Sequence, residues 1–204
     1  EPDMKRAQAI VGQLQAGHQQ STSSVVPVGT KSPYDGITLD KSKLEVKGRG
    51  VSKREVTREE WKSMEGQEVG VSDWFLVDQD RVNAFALATL DPQWIHLAGA
   101  KEKGSPFGGP IAHGYLVVAL SPMLADEVLP RVKGAKMGVN FGVEKLRFVS
   151  PVPVGKQVRM RVKLLILDDL SDGKVTQNTL GITMEVEGGK KPAIVWTWLT
   201  RTYF

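Results

Sequence analysis

Between Ser105 and Ala125 the chain carries no Asp, Glu, Lys or Arg, and from Ile111 onward a helix drawn through the sequence is apolar on nearly every side. A helix without a polar face must be enclosed, either by protein or by lipid. Lipid is the weaker choice: a span needs about 20 predominantly apolar residues, and this stretch is interrupted by Pro106, Pro110, Pro122, three glycines and His113. The pattern therefore predicts a loop feeding a buried helix over roughly 111–129, its first half kinked or ended by Pro122, which has no N–H to return to the preceding turn.

What encloses the helix follows it in the chain, where the apolar period changes from helical to two. Val158, Met160, Val162, Leu164 and Ile166 alternate with Arg159, Arg161 and Lys163, and Leu180, Ile182, Met184 and Val186 alternate with Thr183 and Glu185. Two more strands are expected over 140–149 and 193–203, the second with Trp196 and Trp198 on one face, and Gly155, Asp172-Gly173 and Gly188-Gly189 mark turns. One buried helix followed by about four long antiparallel strands calls for an α+β fold in which a curved sheet wraps around the helix. That is the hotdog architecture.

Upstream, Thr57-Arg58-Glu59-Glu60 has the spacing of a capping box and sets Trp61 and Met64 on one face, so the principal domain is placed at 57–204. A strand is expected over 71–77. A helix capped from Asp78–Asp80, with Val82, Phe85, Ala86 and Thr89 on one face, then delivers the chain to Asp91. Residues 1–56 read as an N-terminal extension, with a short helix carrying Met4, Ala7, Val11 and Leu14, a linker at Ser21–Ser24, and no sustained periodicity after it.

Lys and Arg number 27 against 23 Asp and Glu, an excess too mild and too scattered to indicate nucleic acid. There is no cysteine, which removes disulfides, thiolate nucleophiles and Cys-based zinc sites. Neither a Gly-Lys-Ser/Thr phosphate loop nor a Gly-x-Ser-x-Gly elbow is present. The N-terminus lacks the apolar core of a signal peptide and the C-terminus is no familiar peroxisomal address, so an intracellular protein is expected, cytoplasmic by default with an organelle left open.

The chemistry-bearing residues cluster in Asp91-Pro92-Gln93-Trp94-Ile95-His96 and in Phe107-Gly108-Gly109-Pro110-Ile111-Ala112-His113-Gly114. Taken singly, Asp91 could simply open a loop and His96 could be a structural histidine. Asp91, His96 and His113 lack the spacing of a metal motif, so no metal is expected.

Together the two segments resemble the MaoC-like dehydratases, in particular the branch of nodulation-protein-N-like and (R)-specific enoyl-CoA hydratase proteins. The likeness extends through Met137–Gly142 and Arg147-Phe148 to the last strand, covering roughly 61–204. It implies a hydro-lyase of fatty-acid metabolism that needs no cofactor, that adds water reversibly across C2=C3 of a 2-enoyl thioester, carried on coenzyme A or an acyl carrier protein, and that works as a homodimer or higher homo-oligomer. Carried over position by position, Asp91 and His96 match the catalytic pair and Gly114 the backbone donor for the enolate oxygen. Trp94, Phe107, Pro110, Ile111, Ala112, His113 and Arg147 are expected around the substrate, Arg147 at the phosphates of coenzyme A, with His113 read equally as a structural hydrogen-bonding residue behind the site. The chemistry is coherent: a positioned acid or base contributes about 10²- to 10⁴-fold, an Asp in an apolar pocket is a stronger base than in water, and a glycine admits the thioester to the backbone. This chain departs from the pattern at Ala98, where an acidic residue is common, and in the Gly99–Gly104 stretch, which is expected to reshape the substrate entrance. A hotdog acyl-CoA thioesterase and a non-catalytic acyl-thioester-binding module are the alternatives.

Overall fold

Residues 37–45, 49–52 and 54–204 are described in a computed structural model; the helix and linker expected before residue 25 lie outside them. In chain order the elements are β1 (Glu55–Val56), α1 (Arg58–Lys62), β2 (Glu68–Val71), β3 (Phe75–Leu76), α2 (Gln79–Thr89), α3 (Gly114–Ala119), α4 (Ser121–Val128), β4 (Arg131–Val132), β5 (Met137–Phe148), β6 (Gln157–Leu170), β7 (Val175–Val186) and β8 (Ile194–Tyr203), with short 3-10 turns at Lys41–Leu44 and Trp94–His96. The capping box at Thr57 is present: the Glu60 N–H donates to Thr57 Oγ1 at 3.1 Å and the Thr57 N–H to the Glu60 carboxylate at 2.7 Å.

The main sheet runs β2-β6-β7-β8-β5, with β3 also paired to β6, and all its pairings are antiparallel. Its concave face carries Val158, Met160, Val162, Leu164, Leu180, Ile182, Met184, Trp196 and Trp198, which pack with Leu116, Val117, Leu120, Leu124, Ala125 and Val128 of the helices. Burying each such aliphatic side chain is worth roughly 1.5–3 kcal/mol, and this is the hotdog arrangement the alternation called for. Within the core, the Trp61 indole N–H donates to Asn178 Oδ1 at 2.8 Å, while Asn178 Nδ2 donates to Thr200 and Thr202.

Three details differ from the sequence expectation, while the interruption expected at Pro122 is present. The strand expected over 71–77 is two short pieces, because side chains take the backbone groups between them: Arg49 donates to the carbonyls of Asp73 and Trp74, and the Asp73 N–H donates to Glu127. The long helix begins at Gly114, not Ile111, whose backbone bridges to Pro153. It breaks at Leu120, where Pro122 leaves the Val118 carbonyl without its helical donor and the Ser121 hydroxyl supplies one at 2.5 Å. Finally, a bulge between Leu164 and Ile166 reverses the alternation of β6, leaving Ile166 48% exposed and burying Leu167 instead.

The helix is also not enclosed all round in the single chain. Tyr115, Ala119, Pro122 and Asp126 form an exposed stripe, and the neighbouring edge strand β5 exposes Met137, Phe141, Val143 and Phe148.

Candidate active site

Two elements bring the chemistry together. Helix α2 is capped by Asp78, whose carboxylate accepts from the Arg81 N–H at 2.8 Å. It ends at Leu90, held in the left-handed region at φ 58°, so that the Asp91 N–H turns back to the Ala86 carbonyl at 3.0 Å. The 3-10 turn Trp94–His96 then drives the imidazole of His96 inward, and the Ile111 N–H ties the second segment to the first by donating to the Ile95 carbonyl at 3.0 Å.

His96 is 7% exposed and His113 3%. Their rings stack with centroids 3.7 Å apart and planes 27° from parallel. His96 Nδ1 lies 2.7 Å from the Ile111 carbonyl, an acceptor only, so this nitrogen carries the proton and Nε2 of the neutral ring is left as an acceptor. Burial holds the His96 pKa below its ordinary 6.5; the nearby His113 works in the same direction, against the bond to Ile111 and the Asp91 charge. The ring is therefore neutral at physiological pH.

His113 Nε2 donates to the Asp91 carbonyl at 3.0 Å and lies 3.9 Å from the Asp91 carboxylate, while its Nδ1 is buried with no hydrogen-bond partner. It thus stands behind the pair and holds the Asp91 backbone. The Asp91 side chain is 55% exposed. The apolar surroundings expected to strengthen it as a base are not supplied around it by the described residues, because it sits past the end of α2 at the cavity mouth.

One donor atom from each of Asp91, His96 and His113 falls within 4.8 Å of the others. The stacked rings aim their in-plane lone pairs side by side instead of at one point, and His113 Nε2 is engaged by a carbonyl, so the arrangement disfavours a shared metal ion.

These residues open on a cavity of about 400 Å³. Of the expected site residues, Asp91, His96, Phe107, Ile111, Ala112, His113 and Gly114 line it, whereas Trp94, Pro110 and Arg147 do not. Arg147 donates to the adjacent Leu146 carbonyl and is exposed. The register of β5 slips between Glu144 and Arg147, with Lys145 at φ 52°, and it is Phe148 that contributes to the wall. Phe85, Tyr115, Val117, the 149–152 segment and Ile194 complete it. Phe85 could have been anticipated from the apolar face of α2; the 149–152 segment could not, since only the tertiary fold brings it there.

No side chain caps α3, and as its first residue Gly114 has no intrahelical acceptor for its N–H. A Cβ at Gly114 would stand 2.5 Å from Phe148 Cε1. The side-chain-free face of this glycine is therefore filled by the Phe148 ring and is not open to ligand, which leaves the N–H side for approach from the cavity.

Comparison with known proteins bears on the family and the fold. The MaoC like domain matches residues 60–186. The chain is 47% identical over 130 residues to 3-hydroxyacyl-thioester dehydratase Z of Mycobacterium tuberculosis, covering 64% of this chain and 85% of that protein. It is 36% identical over 153 residues to nodulation protein N of Rhizobium meliloti, covering 74% and 93%. Among solved structures, the (R)-hydratase from A. caviae involved in PHA biosynthesis superposes with a TM-score of 0.53 at 27% identity, covering 66% of this chain and 95% of that one. A domain match over most of the chain, on a hotdog fold with the Asp and His segments meeting at one cavity, makes this protein a member of the MaoC-like dehydratase family.

Proposed function

We propose that the protein is an (R)-specific 2-enoyl-thioester hydratase, acting in reverse as a 3-hydroxyacyl-thioester dehydratase. The observation that carries this is the convergence of an ionisable carboxylate, a buried neutral imidazole with a free acceptor nitrogen, and an uncapped helix start on one apolar cavity. The named relatives, a dehydratase and an (R)-hydratase, describe the two directions of the same reaction.

In this reading a water is held between the Asp91 carboxylate and His96 Nε2. As its oxygen bonds to C3, one proton passes to the Asp91–His96 pair and C2 takes a proton from the same pair, leaving the site as it began. The negative charge that develops on the thioester oxygen is met by the Gly114 N–H, and losing such a donor costs roughly 10²- to 10³-fold. Phe107, Ile111 and Ala112 supply apolar wall for the acyl chain.

Loss of enoyl absorbance on adding the protein to crotonyl-CoA tests the reading directly. Asp91→Asn and His96→Ala should each lower the rate by at least about 100-fold with the fold intact. Release of free thiol in place of hydration would assign a thioesterase, and ligand-induced stabilisation without turnover a binding module.

The reading extends to a homodimer joined along β5, whose outer edge is unpaired among the described residues and whose exposed apolar side chains continue the helix stripe. An open strand edge of this kind is a template for pairing with another chain. Light scattering should give twice the chain mass, and Val143→Lys should shift the protein toward monomer.

A further inference from the structure

A second hollow lies against the catalytic cavity and shares its Ser150–Pro151 wall. It has a volume of about 460 Å³ and carries Lys156, Lys190 and Lys191, all exposed, with Glu187 as its one acid. None of the three ammonium groups has an acidic partner among the described residues. Concentrated, unneutralised positive charge in a concave surface is the arrangement that collects phosphate.

The path between the two hollows is short. The Ala112 N–H, in the segment that opens on Gly114, donates to the Val152 carbonyl at 2.8 Å, and the N–H groups of Val149 and Ser150 donate to the Ala193 carbonyl at 2.8 and 3.1 Å, just beyond the lysine-bearing turn. The lysines are thus two hydrogen-bonded chain spacings from the catalytic segment, on the order of 10 Å at about 4.8 Å each. The pantetheine arm has roughly a dozen bonds between sulfur and its first phosphate, a reach of up to about 14 Å at three bonds per ~3.5 Å. A thioester carbonyl at Gly114 can therefore place its phosphates in the second hollow.

We propose that Lys156, Lys190 and Lys191 bind the phosphates at the distal end of the substrate, the 3′-phosphorylated ADP of coenzyme A. The concavity favours a compact, multiply charged nucleotide over the convex acidic surface of a carrier protein. The inference rests on the thioester reading above and names the carrier that reading leaves open.

The test compares crotonyl-CoA with crotonyl-pantetheine, which lacks the nucleotide, in the wild type and in the Lys156→Ala/Lys190→Ala/Lys191→Ala variant. Exposed ion pairs each shift an equilibrium by up to a few fold, so the three together should raise KM for crotonyl-CoA about tenfold at low salt, with kcat and the pantetheine substrate unaffected. The wild-type KM for crotonyl-CoA should also rise with ionic strength, and the variant's should not. Calorimetry with adenosine 3′,5′-bisphosphate needs no turnover and should show binding weakened about tenfold in the variant, which separates this inference from the hydratase reading. An unchanged KM with unchanged bisphosphate binding, or an equal loss with both substrates, would overturn the assignment. So would a loss confined to an enoyl group on an acyl carrier protein.

Discussion

Replacing His113 with Phe removes the Nε2–H that donates to the Asp91 carbonyl at 3.0 Å while keeping an aromatic ring against His96. Two effects on stability oppose each other. The lost hydrogen bond costs about 0.5–1.5 kcal/mol, and removing Nδ1, a buried acceptor without a partner, returns part of a desolvation cost of about 1–3 kcal/mol. The net change should stay within about 1 kcal/mol, which for a domain of this size moves Tm by about 2–4 °C. Catalysis has no such compensation. Two hydrogen bonds hold the Asp91 backbone among the described residues, its N–H to Ala86 and its carbonyl from His113. Releasing one lets the carboxylate drift, and a misplacement of ~1 Å costs about 10²-fold. We expect kcat for crotonyl-CoA to fall about 10- to 100-fold with KM nearly constant, and His113→Gln, whose amide nitrogen can reach the same carbonyl, to recover much of the loss. The acidic limb of the pH–rate profile should also move up toward 6.5 in His113→Phe, because His113 is one of the causes holding the His96 pKa down. An unchanged kcat in a folded His113→Phe protein would refute the idea that Asp91 depends on this contact. A loss that Gln does not relieve would reduce His113 to a packing role.

In the folded chain His96 stays neutral where a free imidazole is protonated, so below about 6.5 the unfolded state binds more protons; stability should fall as pH drops from there through the lowered folded value, then level off. Denaturant midpoints at pH 7.5 and below 6 should show this slope, and His96→Gln should flatten it. Ser121→Ala withdraws the donor serving the Val118 carbonyl and should cost about 0.5–1.5 kcal/mol in urea unfolding while leaving kcat unchanged. Asn178→Ala strands the Trp61 indole N–H in the core and should cost about 1–3 kcal/mol, read in the same experiment.

The charge-free stretch and the period-two strands were sufficient to give the sheet-around-helix architecture, because burial on a fixed period leaves a direct trace in residue order. Where a side chain intrudes on the backbone, the trace is lost. Nothing local at Ser72–Trp74 announces that Arg49 and Glu127 will take its polar groups. Bulges are equally silent, and those near Leu165 and Lys145 change which residues face inward: Leu167 instead of Ile166 in the core, Phe148 at the cavity where Arg147 was expected to meet substrate. The segments holding Asp91, His96 and Gly114 were legible as motifs. The lysine hollow was not, since Lys156 and Lys190–Lys191 stand in separate turns that only the folded sheet brings side by side.

The ring that fills the space beside Gly114 ties the first residue of the helix to the last residue of the edge strand, 34 positions away in the chain. A larger residue at 114 becomes admissible only after 148 has shrunk, whereas a smaller residue at 148 leaves a void that the glycine does not fill. Changes at these two positions therefore have an order, and a path that alters the helix start first passes through a clash. The glycine is constrained from two directions, by the thioester oxygen it is proposed to meet and by the ring it accommodates, and relieving one constraint leaves the other in force.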